Sequence, residues 1–198
     1  MKAEHLPFKG ASYNQGINGK KVAVVGYSHW SEGEYPDNEN FSAFTLDKVM
    51  DGSWKPRFHS TIRNAFGFTS HSDFWNRVLF FNYVPTMIGT KSQRFGTATD
   101  AEAKIANARF EHILDDHKPE LVFVFTKKTQ LGALGLNFEP LSEPLQAFVH
   151  AERTANGHTS KIVRLRHPQG ANGRALKQTI AQALGNPDRR SEEATSPP

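Results

Sequence analysis

Three short runs of apolar residues, each followed by a polar or turn-forming residue, constrain the fold of this chain more than any other feature. They cover residues 21–26, 78–85 and 121–125. Runs of this length without polar alternation are typical of strands that are buried on both faces of a parallel sheet. Segments with helical spacing separate them. We therefore predict an α/β fold, a three-layer α/β/α domain with a mainly parallel central sheet.

The rest of the chain supplies the predicted helices and a pair of adjacent strands. Apolar spacing and capping residues predict helices near 41–49, 62–66, 72–75, 99–114, 129–135 and 172–184, and strands at 146–150 and 161–166 around an Asn156-Gly157 turn. We expect an irregular lead-in at 1–19 and one domain at 20–185. The tail at 186–198 is rich in proline, serine and charge, and we expect it to be disordered.

The composition excludes several classes of protein and site. The 198 residues include no cysteine, which excludes disulfides, thiolate nucleophiles, cysteine zinc sites and iron–sulfur clusters. No apolar run approaches the roughly 18 residues of a membrane span, and the first residues lack the apolar core of a signal peptide. The histidine spacing fits no metal motif, so we expect no metal and no cofactor. A cytoplasmic protein is predicted, with a monomer as the default.

Positive charge is modest and unevenly distributed. The formal net charge is +4 and the pI is near 9.3, which suits a phosphate-bearing partner without the charge density of a histone-like protein. One predicted strand end is basic, with Lys161, Arg164, Arg166 and Arg174 around His167. The first strand is followed instead by acidic residues, which are Glu32, Glu34, Asp37 and Glu39.

Ligands of parallel sheets bind beyond the carboxyl ends of the strands, which directs attention to the residues that follow the apolar runs. The first run leads into Gly26-Tyr27-Ser28-His29-Trp30. Gly26 permits a tight turn, but the segment lacks the glycine spacing of a dinucleotide-binding or P-loop motif. His29 could act as a general acid or base because its pKa lies near neutrality. A lone loop histidine, however, more often has no such role.

Two further strand ends carry residues suited to binding a base. The amide of Asn82 offers an adjacent donor and acceptor, as the Watson–Crick edge of a base does, although it could equally bond the backbone of the next turn. His167 is held at the sheet edge by the proline that follows it and could stabilise charge on a departing group. The alternative is an ordinary surface histidine. The long loop at 86–98, with Lys91 and Arg94, also indicates a functional role.

In this order, these segments resemble the uracil-DNA glycosylase superfamily over about residues 21–184. Residues 24–30 resemble its water-activating loop, and 80–85 resemble the strand whose asparagine binds the flipped base. Residues 118–125 are similar to the central strand, and 166–169 to the histidine-proline-serine motif. The resemblance implies the fold of that superfamily and activity on DNA.

The chain departs from the superfamily pattern at three places. Tyr27 and Ser28 stand where Asp, Glu or Asn is usual, His29 replaces the usual proline of the loop, and Gln169 replaces the serine of the last motif. Because the chain has no cysteine, it resembles a divergent branch without an iron–sulfur cluster. The altered first loop favours a damaged or modified base over ordinary uracil.

The resemblance implies a DNA glycosylase that hydrolyses the N-glycosidic bond of a flipped damaged, deaminated or modified base and leaves an abasic site. Asn82 would bind the base, Phe41 or Trp30 would stack on it, and Gly26 and Tyr27 would line its pocket. His167 would stabilise the leaving base, while His29, with Ser28 beside it, or Glu32 would position water. DNA phosphates would meet Lys91, Arg94, Arg164, Arg166 and Arg174.

Other interpretations of these residues remain open. Phe41 is also typical of a core residue, and the arginines of a solvated face. A non-catalytic nucleic-acid or nucleotide-binding module of the same fold is the first alternative function. A small-molecule hydrolase that uses Ser28 with His29 is a weaker one, since the sequence shows no third orienting group.

Overall fold

The computed structural model describes residues 3–29, 35, 37–89, 96–140 and 149–185. The strands are β1 (Phe8–Lys9), β2 (Val22–Gly26), β3 (Val78–Asn82), β4 (Leu121–Val124), β5 (Glu139–Pro140), β6 (Val149–Ala155) and β7 (His158–Arg164). The α-helices of these residues are α1 (Phe41–Met50), α2 (Arg57–Ala65), α3 (His71–Trp75), α4 (Asp100–His117) and α5 (Gly173–Leu184). Short 3-10 turns cover Leu131–Leu134 and Pro168–Gly170.

The strands form one mixed sheet in the order β1-β3-β2-β4-β7-β6-β5. Its centre, β3-β2-β4-β7, is parallel throughout, whereas β1 at one side and β6 and β5 at the other are antiparallel to their neighbours. This confirms the predicted α/β class with a mainly parallel sheet. Because the four central strands run the same way, their carboxyl ends meet at one edge of the sheet. The predicted site residues lie at or directly after these strand ends.

Alternate residues of the central strands face two separate hydrophobic cores. Val22 and Val24 of β2 pack with residues of α1, α2, α3 and α5, whereas Ala23 and Val25 pack with residues of α4. Helices therefore cover both faces of the sheet. Burial on both faces explains why these strands have no polar alternation in the sequence.

The helices and the hairpin begin and end where local chemistry dictates. Thr99 and Glu102 form a capping box at the start of α4, and Asn172 caps α5. Pro56, before α2, gives no side-chain cap. Asn156 and Gly157 have φ values of 51° and 72°, as the two-residue turn between β6 and β7 requires.

The amino-terminal segment belongs to the sheet. The sequence predicts an irregular lead-in at residues 1–19, but Phe8 and Lys9 pair with Phe80 and Leu79 of β3. Tyr13 is buried in the core that also contains α4. A two-residue strand is too short to leave a periodic pattern in a sequence. The tail predicted at 186–198 lies outside the described residues.

No helix in the described part of the chain is both long enough and apolar enough to cross a membrane.

Candidate functional site

The site begins with a close approach between Gly26 and Asn82, which pair at the last positions of β2 and β3. A Cβ atom on residue 26 would lie 2.2 Å from Asn82 Oδ1. The φ of Gly26 is not in the left-handed region, so glycine is needed here for space and not for backbone conformation. The side chain of Asn82 thus lies against the bare backbone of the neighbouring strand.

Asn82 is a buried residue whose side-chain amide makes no hydrogen bond within the described residues. The residue is 6% exposed. Apart from the strand ladder, its one hydrogen bond within the described residues is made by its backbone carbonyl, which accepts from Arg109 Nη1 at 3.0 Å. The arrangement therefore leaves a donor and an acceptor for a ligand.

An aromatic side chain that the sequence analysis missed completes this corner. Phe58, in the first turn of α2, places its ring tip 3.6 Å from the same Cβ position on residue 26. Its ring centroid lies 5.3 Å from that of His167, with the planes 37° apart. Phe58 precedes Ile62 by four residues, so the two side chains lie on the same face of α2. This spacing could have identified Phe58 from the sequence.

His167 follows β7 and stands before the 3-10 turn that Pro168 begins. Its Nδ1 accepts a hydrogen bond from Gln169 N at 3.4 Å, which leaves Nε2 to carry the proton in the neutral ring. Partial desolvation lowers the pKa of His167 below its ordinary value. At neutral pH the exposed ring is therefore a neutral donor that packs against Phe58.

His29 lies in a separate cluster of histidine and aromatic rings. It is 9% exposed, its Nε2 lies 3.2 Å from Ser42 Oγ, and its ring meets those of His5 and Phe41 at 5.1 and 5.0 Å. Burial lowers the pKa of His29 to about 3, with smaller contributions from His5 and His59. The imidazole is neutral at pH 7 and is a weak proton acceptor.

Phe41 and Ser28 take structural positions beside this histidine. Phe41 is buried and stacks on His5, with the ring centroids 5.4 Å apart, which agrees with its alternative interpretation as a core residue. Ser28 Oγ donates to the backbone carbonyl of His29 at 3.0 Å. The two side chains therefore do not form the nucleophile–base pair that a serine hydrolase needs.

Tyr27 lies on the other face of the sheet from Asn82. Its ring stacks on Tyr83 at 6.5 Å, and its hydroxyl accepts from Ala98 N at 2.8 Å. Tyr27 follows the last residue of β2 and packs with the core that contains α4, whereas Phe58, beside Gly26, packs with the other core. The structure brings Gly26 and Asn82 together with Phe58 and His167, and leaves Tyr27 apart.

The predicted phosphate-binding arginines are divided between two locations. Arg164 stacks on Phe138, with its guanidinium carbon 4.5 Å from the ring centroid, next to the core that contains α4. Arg166 and Arg174 are exposed beside His167 and at the start of α5. Trp30, Glu32, Glu34, Lys91 and Arg94 lie outside the described residues.

Further cations follow the strand ends and begin the neighbouring helices. Residues 53–72, 125–138 and 165–185 contain no acidic residue. Exposed cations of these stretches include Lys55, Arg57, Lys127, Arg166 and Arg174. The carboxyl edge of the sheet is therefore electropositive on the side of α2 and α5, which favours an anionic ligand.

The described residues contain no group of three or more His, Cys, Asp or Glu side chains placed to hold a metal ion. No protein-family model matches the chain, and no curated protein matches it.

Proposed function

We propose that this chain is a DNA glycosylase that removes a damaged, deaminated or otherwise modified base, as a divergent, cluster-free member of the uracil-DNA glycosylase superfamily. The observation that carries the proposal is the side-chain amide of Asn82, which lies on the backbone of Gly26 and makes no hydrogen bond within the described residues. Phe58 and His167 stand beside it at an electropositive edge. The order of the sequence segments that resemble the superfamily supports the same assignment.

The residues at this corner match the requirements of a flipped base. The Asn82 amide donates to and accepts from the base edge, and the Phe58 ring offers a stacking surface. Stacking of a base on an aromatic ring contributes about 1–3 kcal/mol. Extruding the base costs a few kcal/mol, so both contacts are needed to hold it out of the duplex.

The reaction adds water across the bond between the sugar C1′ and the base nitrogen. The water oxygen bonds to C1′, the electron pair of the broken bond passes to the base, and the base takes up a proton after leaving. Negative charge develops on the base, and the Nε2–H of His167 and the Asn82 amide are the donors available to stabilise it. His29, with its pKa lowered to about 3, is a weak base for the proton of the attacking water.

An abasic-site assay tests the proposal. Oligonucleotides that each contain one modified base are incubated with the protein and then cleaved with alkali. We expect the wild type to cut at one or more of these bases, and Asn82→Ala and His167→Ala to lose about 10²- to 10³-fold, as is usual for one lost oxyanion donor. His112→Ala is the matched control because His112 is exposed on α4. Intact DNA binding without cleavage at any base would overturn the proposal.

A non-catalytic nucleic-acid or nucleotide-binding module is the second candidate. The neutral, weakly basic state of His29 favours it, because no strong base is then supplied by that loop residue. In a binding module, Arg166→Ala and Arg174→Ala would weaken affinity while Asn82→Ala would change no rate of bond cleavage. The same oligonucleotide panel, measured for binding and for cleavage, separates the two candidates.

A further inference from the structure

The guanidinium of Arg109 joins the end of β3 to the amino-terminal segment. From α4, its Nη1 donates to the backbone carbonyl of Asn82 at 3.0 Å, and its Nη2 donates to the backbone carbonyl of His5. Its Nε lies 3.3 Å from a carboxylate oxygen of Glu4. One side chain therefore holds three groups from two segments that are about 80 residues apart in sequence.

The fold creates the need for such a donor. β1 pairs with β3 only through Phe8 and Lys9, and the backbone N–H of Leu6 donates to Glu39 instead of to β3. The carbonyl of Asn82 consequently has no strand partner beyond the end of β1. The carbonyl of His5 approaches the same place, and two acceptors cannot bond each other.

Arginine meets this need because its donors point in fixed, divergent directions. The side chain is 9% exposed. Burial lowers the pKa of Arg109 to about 10, with Glu4 acting in the opposite direction, so the guanidinium stays charged at neutral pH. The ring of Phe81 lies beneath it, 5.8 Å from the guanidinium carbon. Lysine, with one donor atom, cannot reproduce this geometry.

We propose that Arg109 is a positioning residue that fixes the backbone of Asn82 and thereby sets the direction of its amide over Gly26. Its effect on cleavage rests on the proposed function, whereas its effect on Asn82 does not. A displacement of about 1 Å in a group that holds a reactant typically lowers the rate on the order of 10²-fold. We expect a loss of this size in kcat/KM when Arg109 is replaced.

Arg153 provides a matched control for this residue. Its side chain is 11% exposed and pairs with Asp115 at 2.8 Å, also on α4. It lies on β6, which β2, β4 and β7 separate from β3 in the sheet. Arg109→Lys and Arg153→Lys each replace an arginine whose side chain is largely buried. Only Arg109 contacts Asn82. Arg109→Met and Arg153→Met form a second pair without the charge.

The test combines two readouts on these four variants. The side-chain amide signals of Asn82 in a ¹⁵N NMR spectrum, assigned by their loss in Asn82→Ala, should shift in the Arg109 variants and stay in place in the Arg153 variants. The cleavage rate should fall on the order of 10²-fold in Arg109→Lys, and this substitution should cause no further loss when Asn82 is already alanine. Unchanged Asn82 signals in folded Arg109→Lys would overturn the inference. A wild type that cleaves no base would remove the proposed function, and the NMR shifts would still decide the role of Arg109.

Discussion

Asn82 Oδ1 occupies the place where a side chain on Gly26 would begin, since a Cβ there would stand 2.2 Å from it. The two residues end the adjacent parallel strands β2 and β3 in register. This contact determines where the amide of Asn82 lies, and the amide is the group on which base recognition depends in the proposed function.

Gly26→Ala should displace the Asn82 side chain and lower cleavage by about as much as Asn82→Ala, roughly 10²- to 10³-fold. The clash should also cost about 1–3 kcal/mol in the free energy of unfolding, as overpacking usually does. Urea denaturation of the two single variants and the double variant measures this. In Gly26→Ala/Asn82→Ala the clash is gone, so the stability cost of the Gly26→Ala change should largely disappear. Strictly additive losses would contradict the contact.

Phe58→Ala should weaken base binding by about 1–3 kcal/mol, the usual contribution of one stacked base. That corresponds to roughly a 5- to 150-fold rise in KM or fall in kcat/KM, and Phe58→Trp should retain most of the activity. Phe68→Ala is the control, because Phe68 is also partly buried against the same core and its ring contacts Phe74 at 5.5 Å. If the two alanine variants lose equal activity at equal loss of stability, Phe58 contributes only packing.

The protein should lose stability as the pH falls from about 6.5 to 3. Burial lowers the pKa of both His29 and His59 from an ordinary 6.5 to about 3 in the fold. The unfolded state therefore binds more protons across this window, and the free energy of unfolding decreases by up to about 1.4 kcal/mol per pH unit for each histidine. Above pH 6.5 both rings are neutral in either state, and their contribution is constant.

His59→Leu isolates half of that effect. Neither ring nitrogen of His59 has a hydrogen-bond partner in the described structure, so leucine removes the titration without breaking a hydrogen bond. Urea denaturation of the wild type and the variant between pH 4 and 7.5 gives the two slopes. We expect the variant to be the more stable protein at pH 4 and to show the shallower slope. Parallel curves would show that His59 takes up its proton in the folded state at an ordinary pH.

DNA affinity should depend on salt through the cations beside His167. Each phosphate contact contributes about 0.9 to the slope of log affinity against log salt concentration for duplex DNA. Arg57→Ala, Arg166→Ala and Arg174→Ala should each lower that slope by up to this amount. Lys104→Ala, on the exposed side of α4, should leave it unchanged. Fluorescence anisotropy over a range of salt concentrations measures the slopes, and equal slopes in all four variants would exclude this edge as the DNA-binding surface.

The sequence was most informative where an element has a repeated pattern. The buried strands β2, β3 and β4 are continuous apolar runs, and a capping residue, Thr99 or Asp100, indicated the start of α4; the structure has Thr99 as the cap. The burial of the three strands on both faces is what makes the runs continuous.

What the sequence did not predict depends on contacts between distant segments. The burial of His29 arises from His5 and Ser42, which come from the amino-terminal segment and α1. The two-residue strand β1 exists only because β3 offers it an edge. The position of Phe58 beside His167 depends on how α2 packs in the fold, and the reach of Arg109 to the carbonyl of Asn82 depends on how α4 packs on the sheet.

Release of the free base is the most direct test of the central claim. Duplex and single-stranded oligonucleotides with one modified base each are incubated with an excess of protein, and mass spectrometry measures the released base and the abasic strand. The proposed function predicts both products in equal amounts from the wild type and their loss in Asn82→Ala. Binding of DNA by the wild type with no free base from any oligonucleotide would contradict it.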